Sequence, residues 1–159
     1  MANFETLAVS VDDTIGHIQL NRPSKLNPLS TTCLRELVAA ADLFYTRDEV
    51  RVVIVHGAGR AFSAGADLAS FGDPAGTLPR DAADAGREMA EAIEAMQAVT
   101  IAAVHGHCVG GGVVLAAACD LRIAAESTRF SIPELDLGIP LAWGGIQRFK
   151  YSNSDSAIG

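Results

Sequence analysis

The stretch Ile101 to Asp120, IAAVHGHCVGGGVVLAAACD, leaves few folds open: an apolar run of strand type breaks into three glycines and restarts as a small-residue helix. Gly110, Gly111 and Gly112 lack Cβ atoms, so the backbone there can take φ values closed to other residues and a ligand can approach the main chain itself. The first N–H groups of the following helix have no intrahelical acceptor and carry the positive end of the helix dipole. That suits a carbonyl oxygen that becomes negative during a reaction, so the turn is a candidate oxyanion hole. The same glycines would also serve a turn that merely lets helix and strand pack closely.

A second stretch bears on that choice. Arg51 to His56, RVVIVH, reads as a buried strand bounded by Gly57 and Gly59, and it leads into Arg60 to Leu68, RAFSAGADL. Two apolar strands thus each end in a glycine-bearing loop, and neighbouring strand ends of an open α/β layer converge on one crevice where ligands bind.

Together FSAGAD and HGHCVGGG resemble the two signature segments of the crotonase superfamily, the enoyl-CoA hydratase/isomerase family. IQLNRPSKLNPLS resembles that family's first nucleotide-facing loop, and FSIPELDLGIPLAWGGIQR resembles its second catalytic loop. The four segments stand in the family's order. The resemblance implies an α/β fold, the crotonase-like (ClpP/crotonase) spiral of ββα units, incomplete at the C-terminus. It implies that the N–H groups of Ala66 and Gly111 hold the thioester oxygen of an acyl-CoA, and that Ala64, Asp67, Leu68, Val109, Gly110, Gly112 and Pro133 line the acyl-CoA site. Lys25 and Leu26 fall where the family contacts the nucleotide and pantetheine arm, although the Lys25 side chain suits a solvated loop equally well. Coenzyme A enters as the thioester substrate, with no separate cofactor, and a homo-oligomer, trimer or hexamer, is implied.

Composition fits one globular core: 159 residues, 49% hydrophobic and 19% charged. A net charge of −7 argues against a surface that tracks nucleic-acid phosphates. Cys33, Cys108 and Cys119 have no CxxC spacing, and residues 1–10 lack a signal-peptide pattern, so a reducing cytoplasm is expected. The longest apolar stretch, Ile101 to Cys119, is broken by two His and four Gly, which excludes a membrane span.

Along the chain, Phe4 to Val11 and Gly16 to Leu20 form a hairpin pattern, and Arg22-Pro23 stops the sheet. Ser30 N-caps a helix to about Tyr45, and a strand from Arg51 follows, so a parallel pair with a crossover helix is expected. Ser70 to Pro79 reads as a mobile loop over the acyl pocket, Arg80 to Gln97 as an amphipathic helix, and Leu121 to Ala124 and Arg129 to Ile132 as strands. No internal repeat is visible. Residues 1–148 form the crotonase-like core, and 149–159, FKYSNSDSAIG, a polar tail unlike the family's continuation.

Glu134 is the expected catalytic carboxylate: Pro133 fixes the backbone before it, and Leu135, Leu137, Ile139 and Leu141 are expected to surround it, a setting suited to a proton acceptor. A second glutamate, which the family's hydratases carry three residues after the central glycine of the turn, is replaced here by Val114. One base suffices to move a double bond, so the pattern resembles the Δ3,Δ2-enoyl-CoA isomerase branch. A hydratase, and an inactive acyl-CoA-binding remnant or oligomer partner, are the alternatives. Asp67 is expected to cap backbone N–H groups near its turn. Asp136 is expected to be structural, since the dienoyl-CoA isomerase aspartate position falls on Ala142. Trp143 lines or caps the acyl pocket, or packs the core. His105, His107 and Cys108 lack a matching ligand pair, so no metal is expected. A Rossmann site is disfavoured because Gly57 to Phe62 lacks the final glycine of GxGxxG.

Overall fold

The computed structural model describes residues 3–71 and 80–152, with side chains described for 3–69 and 80–148. Strands β1 (Leu7–Asp12) and β2 (Ile15–Leu20) form the expected antiparallel hairpin, turning at Asp13 with φ 53°. Ser30 caps helix α1 (Thr31–Tyr45), its hydroxyl accepting from Cys33 N at 3.2 Å. Strand β3 (Val52–Gly57) then runs parallel to β2, as a crossover helix requires. Helix α2 (Arg80–Glu94) is amphipathic through Ala85, Met89 and Ile93, three residues shorter than expected at its C-terminus. The loop expected over Ser70 to Pro79 lies, from residue 72 on, outside the described residues.

The apolar run that opens with Ile101 is two strands rather than one. Strand β4 (Val99–Val104) pairs in parallel with β3, and the chain then turns at Gly106, φ 59°, into β5 (His107–Val109), which belongs to a different sheet. Helix α3 (Gly111–Ala118) follows, then β6 (Leu121–Ala124) beside β4, and β7 (Arg129–Ser131) in parallel with β5. The short helix α4 (Pro133–Asp136) and α5 (Gly145–Ser152) complete the order. α5 thus runs through Arg148, where the sequence changes character.

The result is a five-stranded sheet of order β1-β2-β3-β4-β6 and a two-stranded sheet of order β5-β7. A repeat invisible in the residues appears in the backbone: β4-β5-α3 and β6-β7-α4 each give one strand to the large sheet, one to the small sheet, and a helix. Ile18, Val53, Val55, Ala102 and Val104 on one face of the large sheet pack with Leu34 and Leu37 of α1, Met89 and Ile93 of α2 and Leu115 of α3 into one core. Burying the valine, leucine, isoleucine and methionine side chains among them is worth about 1.5–3 kcal/mol each before the entropy cost of ordering the chain. On the other face, His17, His56 and His105 line a cleft of about 570 Å³ to which Gly110, Gly111 and Gly112 do not contribute, and the rings of His17 and His56 meet edge to face at 5.8 Å. Among the described residues no helix is long and apolar enough to cross a membrane.

Candidate active site

Three loops meet at the start of α3. The first, after β2, is a 3-10 turn over Pro23–Lys25 followed by two left-handed residues, Leu26 at φ 64° and Asn27 at φ 53°. The second is the segment 63–67 after β3, which lies between the first loop and β5. Ala64 N donates to Leu26 O at 2.8 Å, Leu29 N to Gly65 O at 2.8 Å and Asp67 N to Leu29 O at 3.1 Å. On its other side Ser63 N donates to His107 O and Val109 N to Ser63 O, both at 3.1 Å. The third loop is the Gly110 turn itself.

Gly65 brings the second and third loops into contact. It has φ 89°, and a Cβ there would lie 2.7 Å from Val109 O and 3.6 Å from Gly111 N, so only glycine allows the approach. Ala66 follows it, and Gly111 is the first residue of α3. Among the described residues neither the Ala66 N–H nor the Gly111 N–H has a protein acceptor. Two unspent backbone donors beside one another, one of them at a helix N-terminus, are what an oxyanion requires.

Glu134 completes the arrangement. Gly110 N donates to Ser131 O at 2.9 Å, so β7 is fastened to the glycine turn immediately before Pro133 and Glu134 begin α4. Gly110, at φ 49°, sits so close that a Cβ on it would stand 2.6 Å from Glu134 Oε1. Glu134 Oε2 is buried and has no hydrogen-bond partner among the described residues. A carboxylate oxygen is an obligatory acceptor, so an unpartnered one beside two unspent donors marks a place for chemistry.

The environment expected around Glu134 is only partly present. Leu135, Leu137 and Ile139 do not enclose it; they are 68%, 73% and 49% exposed, and only Leu141 of the four is buried. A short helix carrying PELD points alternate residues in different directions, so sequence neighbours of Glu134 are not its spatial neighbours. The turn glycines form its actual surroundings. Val114 is fully buried in the core, with a Cγ near Gly145, so the position of the second glutamate is closed to water in this chain.

Of the other site residues, Lys25 and Leu68 are exposed, while Leu26, Ala64 and Val109 are half-buried along the three loops. Gly112 backs onto Ser63, where a Cβ would lie 2.9 Å from the serine Cβ. Asp67 faces the Arg22 guanidinium at 3.7 Å, an ion pair that joins the first and second loops. Trp143 is 5% exposed and lies against Gly111, and Ala142 beside it is half-buried. Asp136 is exposed. His105 bonds Gly59 O through Nε2 at 2.7 Å, His107 is exposed, and burial pushes the Cys108 thiol up to about 12.

Asn27 was not singled out by sequence and holds the first two loops together. Its side chain donates to Ala58 O and Ala61 O, both at 2.9 Å, and accepts from Arg22 N at 2.9 Å, while its own carbonyl accepts from Ser63 Oγ at 2.8 Å. The available signal was its place in a turn, since asparagine tolerates the left-handed region and bonds nearby backbone.

A sequence model of the family "Enoyl-CoA hydratase/isomerase" matches residues 10–152. The chain belongs to that family. Curated relatives include a probable enoyl-CoA hydratase of Bacillus subtilis, 40% identical over 96% of this chain and 59% of the relative. A mouse mitochondrial Delta(3,5)-Delta(2,4)-dienoyl-CoA isomerase is 35% identical over 92% and 48%. Among solved structures, Pseudomonas aeruginosa DspI superposes with a TM-score of 0.86 at 32% identity, covering 95% of this chain and 58% of that one. An enoyl-CoA hydratase from Bacillus anthracis gives 0.84 at 36%, covering 92% and 58%. The fold is therefore the crotonase-like one, and the chain spans about half to three-fifths of the length of these family members.

Proposed function

We propose that this chain binds an enoyl-CoA with the thioester oxygen between the Ala66 and Gly111 N–H groups and that Glu134 shifts the double bond. The observation that carries this reading is the Glu134 carboxylate oxygen at the glycine turn, which no described residue partners, next to two backbone donors with no acceptor among those residues. Glu134 takes a proton from C2 of a 3-enoyl thioester. The C–H electrons move toward C1, and negative charge collects on the thioester oxygen, where the two N–H groups hold it as a dienolate. Glu134 then returns the same proton to C4, and the electrons flow back to leave a 2-enoyl thioester. One carboxylate serves both steps, and nothing is consumed.

Hydration is the second reading, and the names of the Bacillus subtilis and Bacillus anthracis relatives favour it. Against it stands Val114, buried and apolar where a water-activating carboxylate would be needed.

The deciding assay follows 3-enoyl-CoA isomerisation and 2-enoyl-CoA hydration by this chain and by Glu134→Gln. Isomerisation should exceed hydration, and the amide, which cannot accept the proton, should abolish it. Hydration exceeding isomerisation would replace the first reading with the second. Acyl-CoA binding with neither reaction would reduce the chain to a binding module.

A further inference from the structure

The loop after Glu134 holds a tryptophan in a way that ordinary core packing does not call for. Trp143 has a left-handed backbone, φ 61°, a strained conformation for an aromatic residue. Arg148 keeps it there. Its Nη1 donates to Trp143 O at 2.9 Å and Gly144 O at 3.2 Å, while Nε and Nη2 grip Glu94 of α2 at 2.7 and 2.8 Å.

The indole so placed stands between two glycines. Its pyrrole edge occupies the space of a Cβ on Gly86 in α2, and its benzo edge the space of a Cβ on Gly111. Gly86 lies inside a helix, where glycine costs about 1 kcal/mol against alanine, and the indole supplies the reason for it. The indole Nε1 is buried without a partner among the described residues. A buried tryptophan N–H normally finds an acceptor, so one left unpaired by the described residues leaves room for an acceptor on a bound group.

We propose that Trp143 is the acyl-specificity residue of the thioester site, closing the acyl subsite beside Gly111 so that it accepts short acyl groups. This rests on the acyl-CoA reading above. A thioester oxygen on the Gly111 N–H puts the carbonyl carbon beside Gly111, and the acyl carbons extend from it. The indole already fills the side-chain space of that residue. A short acyl group ends before the ring, and a long one has to displace it.

The test is calorimetric titration of this chain with CoA, butanoyl-CoA and decanoyl-CoA, with the emission of Trp143, the single tryptophan, as a second readout. Butanoyl-CoA should bind and shift the emission, and decanoyl-CoA should bind at least about tenfold more weakly, as a filled pocket discriminates by size. Trp143→Ala should strengthen decanoyl-CoA relative to butanoyl-CoA by about tenfold or more, and Trp143→Phe should move the ratio the same way by less. If the alanine variant does not fold, the phenylalanine variant decides. Equal binding of both thioesters by the unaltered chain, or an unchanged ratio in a folded variant, overturns the wall. Failure of CoA and both thioesters to bind overturns the acyl-CoA reading itself.

Discussion

At the scale of single residues, the site is a set of close approaches that tolerate no added atom. Gly110→Ala would put a methyl group 2.6 Å from Glu134 Oε1 at φ 49°, so the carboxylate must move. A misplacement of about 1 Å costs about a hundredfold, and steady-state kinetics should show that loss in kcat. The oxyanion donors are better tested at Ala66 than at Gly111, because any side chain at Gly111 collides with Trp143. Ala66 N makes no hydrogen bond among the described residues, so Ala66→Pro deletes one donor while leaving the Leu29 contacts on either side of it. Its rate should fall by about 10² to 10³. Asn27→Ala strands the carbonyls of Ala58 and Ala61, and denaturant titration should register a loss of about 1–3 kcal/mol for each buried group left unpaired. The candidates Glu134, Ala66 and Gly111 came from contiguous runs that resemble the family's signature segments, and contiguity is what made those runs readable. Asn27 was not, since its partners lie 31 and 34 residues away and nothing local announces them.

At the scale of elements, the hairpin, both long helices and the parallel order followed from hydrophobic period and caps. The break inside the run from Val99 to Val109 did not, because β4 and β5 are both apolar and only the positive φ at Gly106 separates them. Leu135, Leu137 and Ile139 were misread for a related reason: apolar type says nothing of direction in a helix of one turn or in the loop that follows it. The Arg148–Glu94 pair joins α5 to α2 and sets the loop between Glu134 and Arg148. Its arginine side chain is 11% exposed and its glutamate 43%, so solvent screens the glutamate end and the two-pronged geometry carries most of the value. Arg148→Met should release the left-handed turn. The expected result is a changed Trp143 emission maximum, with a drop in stability of about 1 kcal/mol on the same denaturant curve.

At the scale of the whole molecule, titration confines stability from both sides. Burial pushes the Cys33 thiol up to about 11 and those of Cys108 and Cys119 up to about 12, so above about pH 9 the unfolded chain loses protons that the folded one keeps. Stability should therefore fall as pH rises from 9 toward 12, and native thiols should resist alkylation at pH 8 until the chain unfolds. His56 is lowered by burial first and then by the nearby His17 and His105, so stability should also decline as pH drops below its ordinary value near 6.5. Leu121, Ile123, Phe130, Leu135 and Leu137 are each more than half exposed, and an environment-sensitive apolar dye should brighten on the folded protein. The order of the units along the chain has a further consequence, in time. During synthesis the loop with Ala66 emerges first, the turn with Gly111 next, and Glu134 only after two more strands. Under the proposed reading, the two oxyanion donors are therefore encoded before the base, so the groups that would hold a thioester precede along the chain the one that would change it.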